Sequence, residues 1–170
     1  MSFQVTTFVN GKRRQNCHII ANSTSDALIV DPGSQPQKIG GLIDGNAWRV
    51  HAIINTHGYY DPVGTVAGLM ERYQAAFYLH RADEQLLKHA NPYRMLFESR
   101  GGNPDSPITH DRSRPPSVFE VGPFEVCWIL APGHTNESVC PLPRNFLFSG
   151  DSLMRDCVGR TDLPAETGIN

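Results

Sequence analysis

Ile53-Ile54-Asn55-Thr56-His57-Gly58-Tyr59-Tyr60-Asp61-Pro62 is the stretch on which the fold turns. Val50 to Ile54 is a short run of β-branched residues, strand-like in length and composition, and it breaks at Asn55-Thr56 into a polar turn. From Pro62 to Tyr73 the period changes, because Val66, Leu69, Met70 and Tyr73 recur at helical spacing. His57 and Asp61 therefore fall in a strand-to-helix turn, where side chains from a rigid frame can converge on a ligand.

Two further turns have the same form. Leu130-Ala131-Pro132-Gly133-His134-Thr135 places His134 just past the apolar run Phe124 to Leu130. Phe148-Ser149-Gly150-Asp151-Ser152 places Asp151 just past Phe146 to Phe148. Imidazole and carboxylate groups on strand ends are the N and O ligands that a borderline or hard divalent metal takes. A single such residue is most often a satisfied loop residue or a cap, and Asp31 in Val30-Asp31-Pro32-Gly33 reads that way.

Outward from these turns, strand-length runs also occur at Phe3 to Val9, Cys17 to Ala21, Ala27 to Val30 and Ala76 to Leu79. Arg81 to Ala90 reads as a second helix, Gln37 to Ile43 as a weaker one lowered by Gly40-Gly41, and Asn91 to Pro116 as one long loop. A strand meander followed by strands alternating with helices predicts a single α/β domain over residues 1–170, its sheets covered by helices.

Composition narrows the function. With 39% hydrophobic and 19% charged residues the chain reads as an ordinary globular domain, and no run approaches the roughly 18 to 20 apolar residues of a membrane helix. Lys12-Arg13-Arg14 is followed by a stretch too broken and polar for a signal-peptide core, so the expected location is cytoplasmic. A formal net charge of −2 offers no field for a phosphate backbone, so neither nucleic acid nor membrane is an expected partner. The cysteines Cys17, Cys127, Cys140 and Cys157 form no CxxC pair and read as reduced, half-buried apolar residues.

Taken together and in order, the blocks Asn16-Cys17-His18-Ile19-Ile20, Ala27 to Gly33, Thr56-His57 to Gly64, Pro132-Gly133-His134-Thr135, Ser149-Gly150-Asp151 and Gly159-Arg160-Thr161-Asp162-Leu163-Pro164 resemble the metallo-β-lactamase superfamily, nearest to its glyoxalase II-like members. The resemblance implies an αββα sandwich with a metal site along one edge of its two sheets. It also implies ligands by position. A first metal would take His57, the residue at 59 and His134, and Asp151 would bridge to a second metal held by Asp61, the residue at 62 and a later histidine.

The family's HxHxDH signature reads here His57-Gly58-Tyr59-Tyr60-Asp61-Pro62, so its third and sixth positions are changed. Pro62 has no donor atom and suits the first position of a helix instead. The further helix, strand and histidine that the family carries after the Gly159 to Pro164 block do not occur in this sequence. The expectation is thus a C-terminally incomplete sandwich that binds one divalent metal, zinc or iron, through His57, His134 and Asp151, with Asp61 as a catalytic carboxylate. A homo-oligomer or a partner chain would cover the edge left after Phe146 to Phe148.

The function implied is a metal-dependent hydrolase, acting on a small-molecule thioester or ester through one metal-bound water that Asp61 orients. Two alternatives stand beside it. Persulfide dioxygenases, which resemble this chain in the same blocks, bind a single iron through the corresponding histidine, histidine and aspartate. A catalytically inactive member kept for binding or assembly would also tolerate the changed ligand positions. Tyr59 reads as packed or hydrogen-bonded, Arg160 and Asp162 as loop ties, and His18, His51, His80, His89 and His110 as surface or capping residues.

Overall fold

The computed structural model describes residues 2–12, 14–58, 65–80, 83 and 117–162. Strands β1 (Phe3–Asn10), β2 (Gln15–Asn22), β3 (Asp26–Val30), β4 (Arg49–Ile54) and β5 (Ala76–Tyr78) form one sheet in that order. β1 to β3 pair antiparallel, whereas β3, β4 and β5 run parallel. Helix α1 (Pro36–Gly45) makes the crossover from β3 to β4, and α2 (Val66–Tyr73) precedes β5. A second, antiparallel sheet has the order β6 (Ser117–Val121), β7 (Phe124–Leu130), β8 (Val139–Pro143).

Side-chain alternation along the first sheet divides the apolar residues between two cores. Ile19, Ala21, Ile29, Ile53 and Phe77 face the helices and pack with Ile39 and Ile43 of α1 and Val66 and Leu69 of α2. Ile20, Leu28, Val30, Ala52, Ile54 and Tyr78 face the second sheet and pack with Phe119, Val126 and Trp128. Covered on both faces, β3 is buried along its whole length, which is why the parallel strands read as unbroken apolar runs. β7 has only one face in the core: Phe124, Val126 and Trp128 are buried and Glu125 and Ile129 are exposed. Within the core Tyr78 stacks on Phe119 at 5.1 Å between centroids, and Phe119 meets Trp128 edge-on at 5.5 Å. Offset and edge contacts of this kind add to area burial.

The sequence expectations need four corrections here. Phe146 to Phe148 is not a strand: it lies along β8, with the Phe146 and Phe148 N–H groups donating to Pro143 and Pro141 carbonyls. β8 itself was not anticipated, because Pro141 and Pro143 argue against a strand until its position at a sheet edge is known. Of the cysteines expected to be half-buried only Cys127 is so, for Cys17 and Cys140 are buried and Cys157 is exposed, although all four are free. His80 is buried, at 5% exposure, rather than on the surface. The weak helix, by contrast, is a full one. Gly40 lies where a Cβ would come within 3.3 Å of the Arg72 and Tyr73 side chains, so its helix cost accompanies close approach of α1 to α2. The expected long loop, His89, His110 and most of the helix expected at Arg81 to Ala90 lie outside the described residues. Among the described residues no helix is long and apolar enough to cross a membrane.

Candidate metal centre

Parallel β3, β4 and β5 end at the same side of the sheet, and the polar residues that follow them assemble there. Asp31 takes a positive φ of 48°, a conformation that aspartate tolerates better than most residues. Its N–H donates to the Ile54 carbonyl at 3.0 Å, and its carboxylate accepts both the Thr56 N–H and the Thr56 hydroxyl at 2.9 Å. The Val139 N–H donates to the Thr56 carbonyl at 2.9 Å, which ties the first sheet to the second beside the site.

His57, His134 and Asp151 converge at this edge, with one donor atom of each lying within 4.8 Å of the others. His57 Nε2 is 3.9 Å and His134 Nε2 3.4 Å from Asp151 Oδ2, and the two rings stand at 86° with centroids 4.9 Å apart. Such separations suit an ion bonded to each donor at about 2 Å. His57 and His134 are 4% and 8% exposed, whereas the Asp151 side chain is 47% exposed, so the site opens to solvent on the carboxylate's side.

The outer contacts fix which ring nitrogen faces the gap. The single proton of the Thr56 hydroxyl goes to Asp31, so that oxygen accepts from His57 Nδ1 at 2.9 Å. His134 Nδ1 lies 3.0 Å from the Arg160 carbonyl, which can only accept. Both rings therefore carry their proton on Nδ1 and present the Nε2 lone pair to the gap, as metal-binding histidines do. Burial, with the neighbouring His134, pushes His57 down to about 3, so its imidazole is neutral at physiological pH. Burial pushes the Asp31 carboxyl up to about 7, against the two Thr56 hydrogen bonds that lower it.

Glycines make room for these contacts. A Cβ at Gly150, where φ is +49°, would strike the Thr56 side chain, and one at Gly159 would strike the Asp151 backbone carbonyl. The Arg160 and Asp162 side chains pair with each other at 2.9 and 3.2 Å, as a loop tie, while the Arg160 backbone serves His134. Among the described residues His18 pairs with the Thr7 hydroxyl at 2.9 Å and His51 with Asp26 at 2.7 Å, away from the metal centre.

Of the residues expected from sequence, His57, His134 and Asp151 thus come together, while Asp61, Tyr59 and Pro62 lie outside the described residues. Asp31 is more than a loop residue, and the parts played by Thr56, Asp83 and Gly159 went unread. Asp83, 2% exposed and with its carboxyl pushed up by burial, accepts the Gly58 N–H at 2.8 Å and the Thr135 hydroxyl at 3.1 Å. Its only signal in the sequence was a position shortly after the strand-end His80.

Comparison with known proteins agrees with this geometry. The sequence is 33% identical over 152 residues to a protein of Aquifex aeolicus, covering 88% of this chain and 70% of that one. It is 31% identical to the probable metallo-hydrolase YqgX of Bacillus subtilis, with 83% of this chain and 67% of that protein covered. Identity to the hydroxyacylglutathione hydrolase GloC of Haemophilus influenzae is 24%, over 89% of this chain and 72% of that one. Among solved structures, the BLEG-1 B3 metallo-β-lactamase superposes with a TM-score of 0.85 at 25% identity, covering 95% of this chain and 78% of that one. TTHA1623 in a di-iron-bound form gives 0.75 at 28% identity, covering 94% and 78%. The sequence model of the metallo-β-lactamase superfamily matches residues 10–169, and with the strand-end histidines and aspartate in place the chain belongs to that superfamily.

Proposed function

We propose that the protein is a metal-dependent hydrolase of the glyoxalase II-like kind, acting on a thioester or ester, with one divalent metal held by His57, His134 and Asp151. The observation that carries this reading is the pair of Nε2 atoms turned toward Asp151 Oδ2, each ring held by an acceptor at its other nitrogen. A divalent ion at such donors lowers the pKa of water toward about 7 and polarises a carbonyl. The chain's own residues supply the rest. Asp31, through Thr56, and the Arg160 carbonyl hold the imidazoles in one tautomer and orientation. Buried His57 stays neutral, and half-exposed Asp151 leaves an approach for substrate. Asp61, four positions after His57 in the sequence, is assigned the orienting of the attacking water.

GloC, as a hydroxyacylglutathione hydrolase, supports the thioester class, and the probable metallo-hydrolase YqgX supports hydrolysis more broadly. The di-iron form of TTHA1623 supports iron beside zinc as the resident metal. With Tyr59 and Pro62 at the changed signature positions, at most one tightly held transition metal per chain is expected, and hydrolysis of S-lactoylglutathione is expected to be weak. Elemental analysis of protein purified without chelator, followed by thioester hydrolysis assays with added zinc or ferrous iron, tests the reading. Two tightly held metals per chain would overturn the stoichiometry. Thioester hydrolysis that persists unchanged in His57→Ala would overturn the site assignment.

A further inference from the structure

The residues that follow the two metal-binding histidines are linked by a carboxylate that is not itself at the centre. Gly58 follows His57 in the turn after β4, and Thr135 follows His134 in the connection between β7 and β8. These belong to different sheets, joined here by a backbone bond from the Val139 N–H to the Thr56 carbonyl at 2.9 Å, which leaves the side-chain contacts beyond it to set how the two loops face each other. Asp83 reaches both, for a single oxygen, Oδ2, accepts the Gly58 N–H at 2.8 Å and the Thr135 hydroxyl at 3.1 Å.

The direction of the hydrogen bonds around Thr135 is determined. The Ser138 hydroxyl oxygen accepts the Thr135 N–H at 3.0 Å, and the two hydroxyls lie 2.8 Å apart. Because Thr135 gives its only hydroxyl proton to Asp83, it receives the Ser138 proton, and it also accepts the Glu137 N–H at 3.3 Å. Asp83, Thr135 and Ser138 are 2, 5 and 2% exposed, so water does not compete for these bonds. A buried acceptor with two well-formed bonds fixes the atoms at their far ends, and contacts one step removed from a metal commonly set ligand orientation.

We propose that Asp83 is a positioning residue for the metal centre, tying the His57 loop of one sheet to the His134 loop of the other so that their Nε2 atoms face a common ion. The proposal rests on the reading that His57, His134 and Asp151 hold that ion. What Asp83 supplies is hydrogen-bond acceptance at one oxygen, which an amide oxygen can also give. Asp83→Asn therefore keeps the tie, Asp83→Ala removes it from both loops, and Thr135→Val releases the His134 loop alone.

The test is zinc affinity of the full chain by chelator competition, together with the visible spectrum of the cobalt(II)-substituted protein, which reports ligand geometry independently of turnover. Asp83→Ala and Thr135→Val are expected to weaken zinc binding roughly 10- to 100-fold and to alter the cobalt spectrum, while Asp83→Asn stays close to the parent in both. Wild-type affinity and spectrum in Thr135→Val would overturn the proposal, and this variant decides alone where Asp83→Ala does not fold. A loss in Asp83→Asn as large as in Asp83→Ala would also overturn it, by showing that charge rather than the shared acceptor matters. His134→Ala separates the two levels: undiminished zinc binding there would reject the metal-site reading itself.

Discussion

Replacing Thr56 by valine removes the hydroxyl through which Asp31 reaches His57 while leaving side-chain volume nearly unchanged. The Thr56 N–H still donates to Asp31 Oδ1, but Oδ2 loses its donor and His57 Nδ1 loses the hydroxyl oxygen. Thr56, Asp31 and His57 are 1, 7 and 4% exposed, so water gains little access to either group. At ~1–3 kcal/mol for each buried polar group left unsatisfied, the expected loss of stability in the metal-free protein is about 2–4 kcal/mol. For a chain of this size that lowers Tm by roughly 5–15 °C. With its Nδ1 partner gone, the His57 proton is free to move to Nε2, so zinc affinity is expected to fall roughly 10- to 100-fold as well. Differential scanning calorimetry of the metal-free protein and chelator competition measure the two effects, with Thr56→Ser, which retains the hydroxyl, as the comparison. A Thr56→Val protein that melts with the parent and binds zinc as tightly would refute the argument that this hydroxyl orients His57.

Three further outcomes are expected. Gly159→Ala, whose new methyl would meet the Asp151 carbonyl, should displace that ligand and weaken metal binding, at a stability cost of about 1–3 kcal/mol; an unchanged zinc titration would contradict this. In the metal-free protein His57, pushed down to about 3, makes stability fall as pH drops below 6.5, because only the unfolded chain takes up the proton; Asp31, pushed up to about 7, makes stability fall as pH rises from 3.8, because only the unfolded chain releases its proton. The two slopes offset each other between those values, so Asp31→Asn should uncover an acid-side loss of about 1.4 kcal/mol per pH unit; a flat urea-unfolding profile in that variant would contradict the assignment. Val118 and Ile129 are 60% and 40% exposed on the outer face of the second sheet, and self-association is expected there; sedimentation velocity showing only monomer at micromolar concentration would rule it out.

Most of the first sheet was legible because its strands are buried on one or both faces and therefore carry apolar runs. The second sheet was less so. β7 alternates plainly, but β6 follows a Pro-rich stretch at Arg114-Pro115-Pro116, and β8 reads Val139-Cys140-Pro141-Leu142-Pro143, with prolines that exclude an interior strand. β8 lies at the sheet edge, where its prolines need no N–H on the outer side and only their carbonyls are used, by the Phe146 and Phe148 N–H groups. Its pairing with β7 is local, with Leu130↔Val139 closing the His134 connection, but the polar Pro132-Gly133 turn and the two prolines hide it from an alternation pattern.

The metal centre divides along the same physical line. His57, His134 and Asp151, which the structure brings together, were legible because their blocks occur together and in the order that the family resemblance implies, although each alone reads as an ordinary turn residue. Asp31 and Asp83 leave almost no mark in the sequence, since an aspartate that accepts backbone and hydroxyl hydrogen bonds looks like any turn-forming aspartate until its burial is known. Yet their effect on the centre follows from that burial. Asp31 holds Thr56 beside His57 from within the first sheet, and Asp83 joins Gly58 of that sheet to Thr135 beyond β7 of the other. The donor set is therefore supported at the junction of two sheets by two buried carboxylates that are not themselves among the donors, so changes at either should lower metal affinity together with stability.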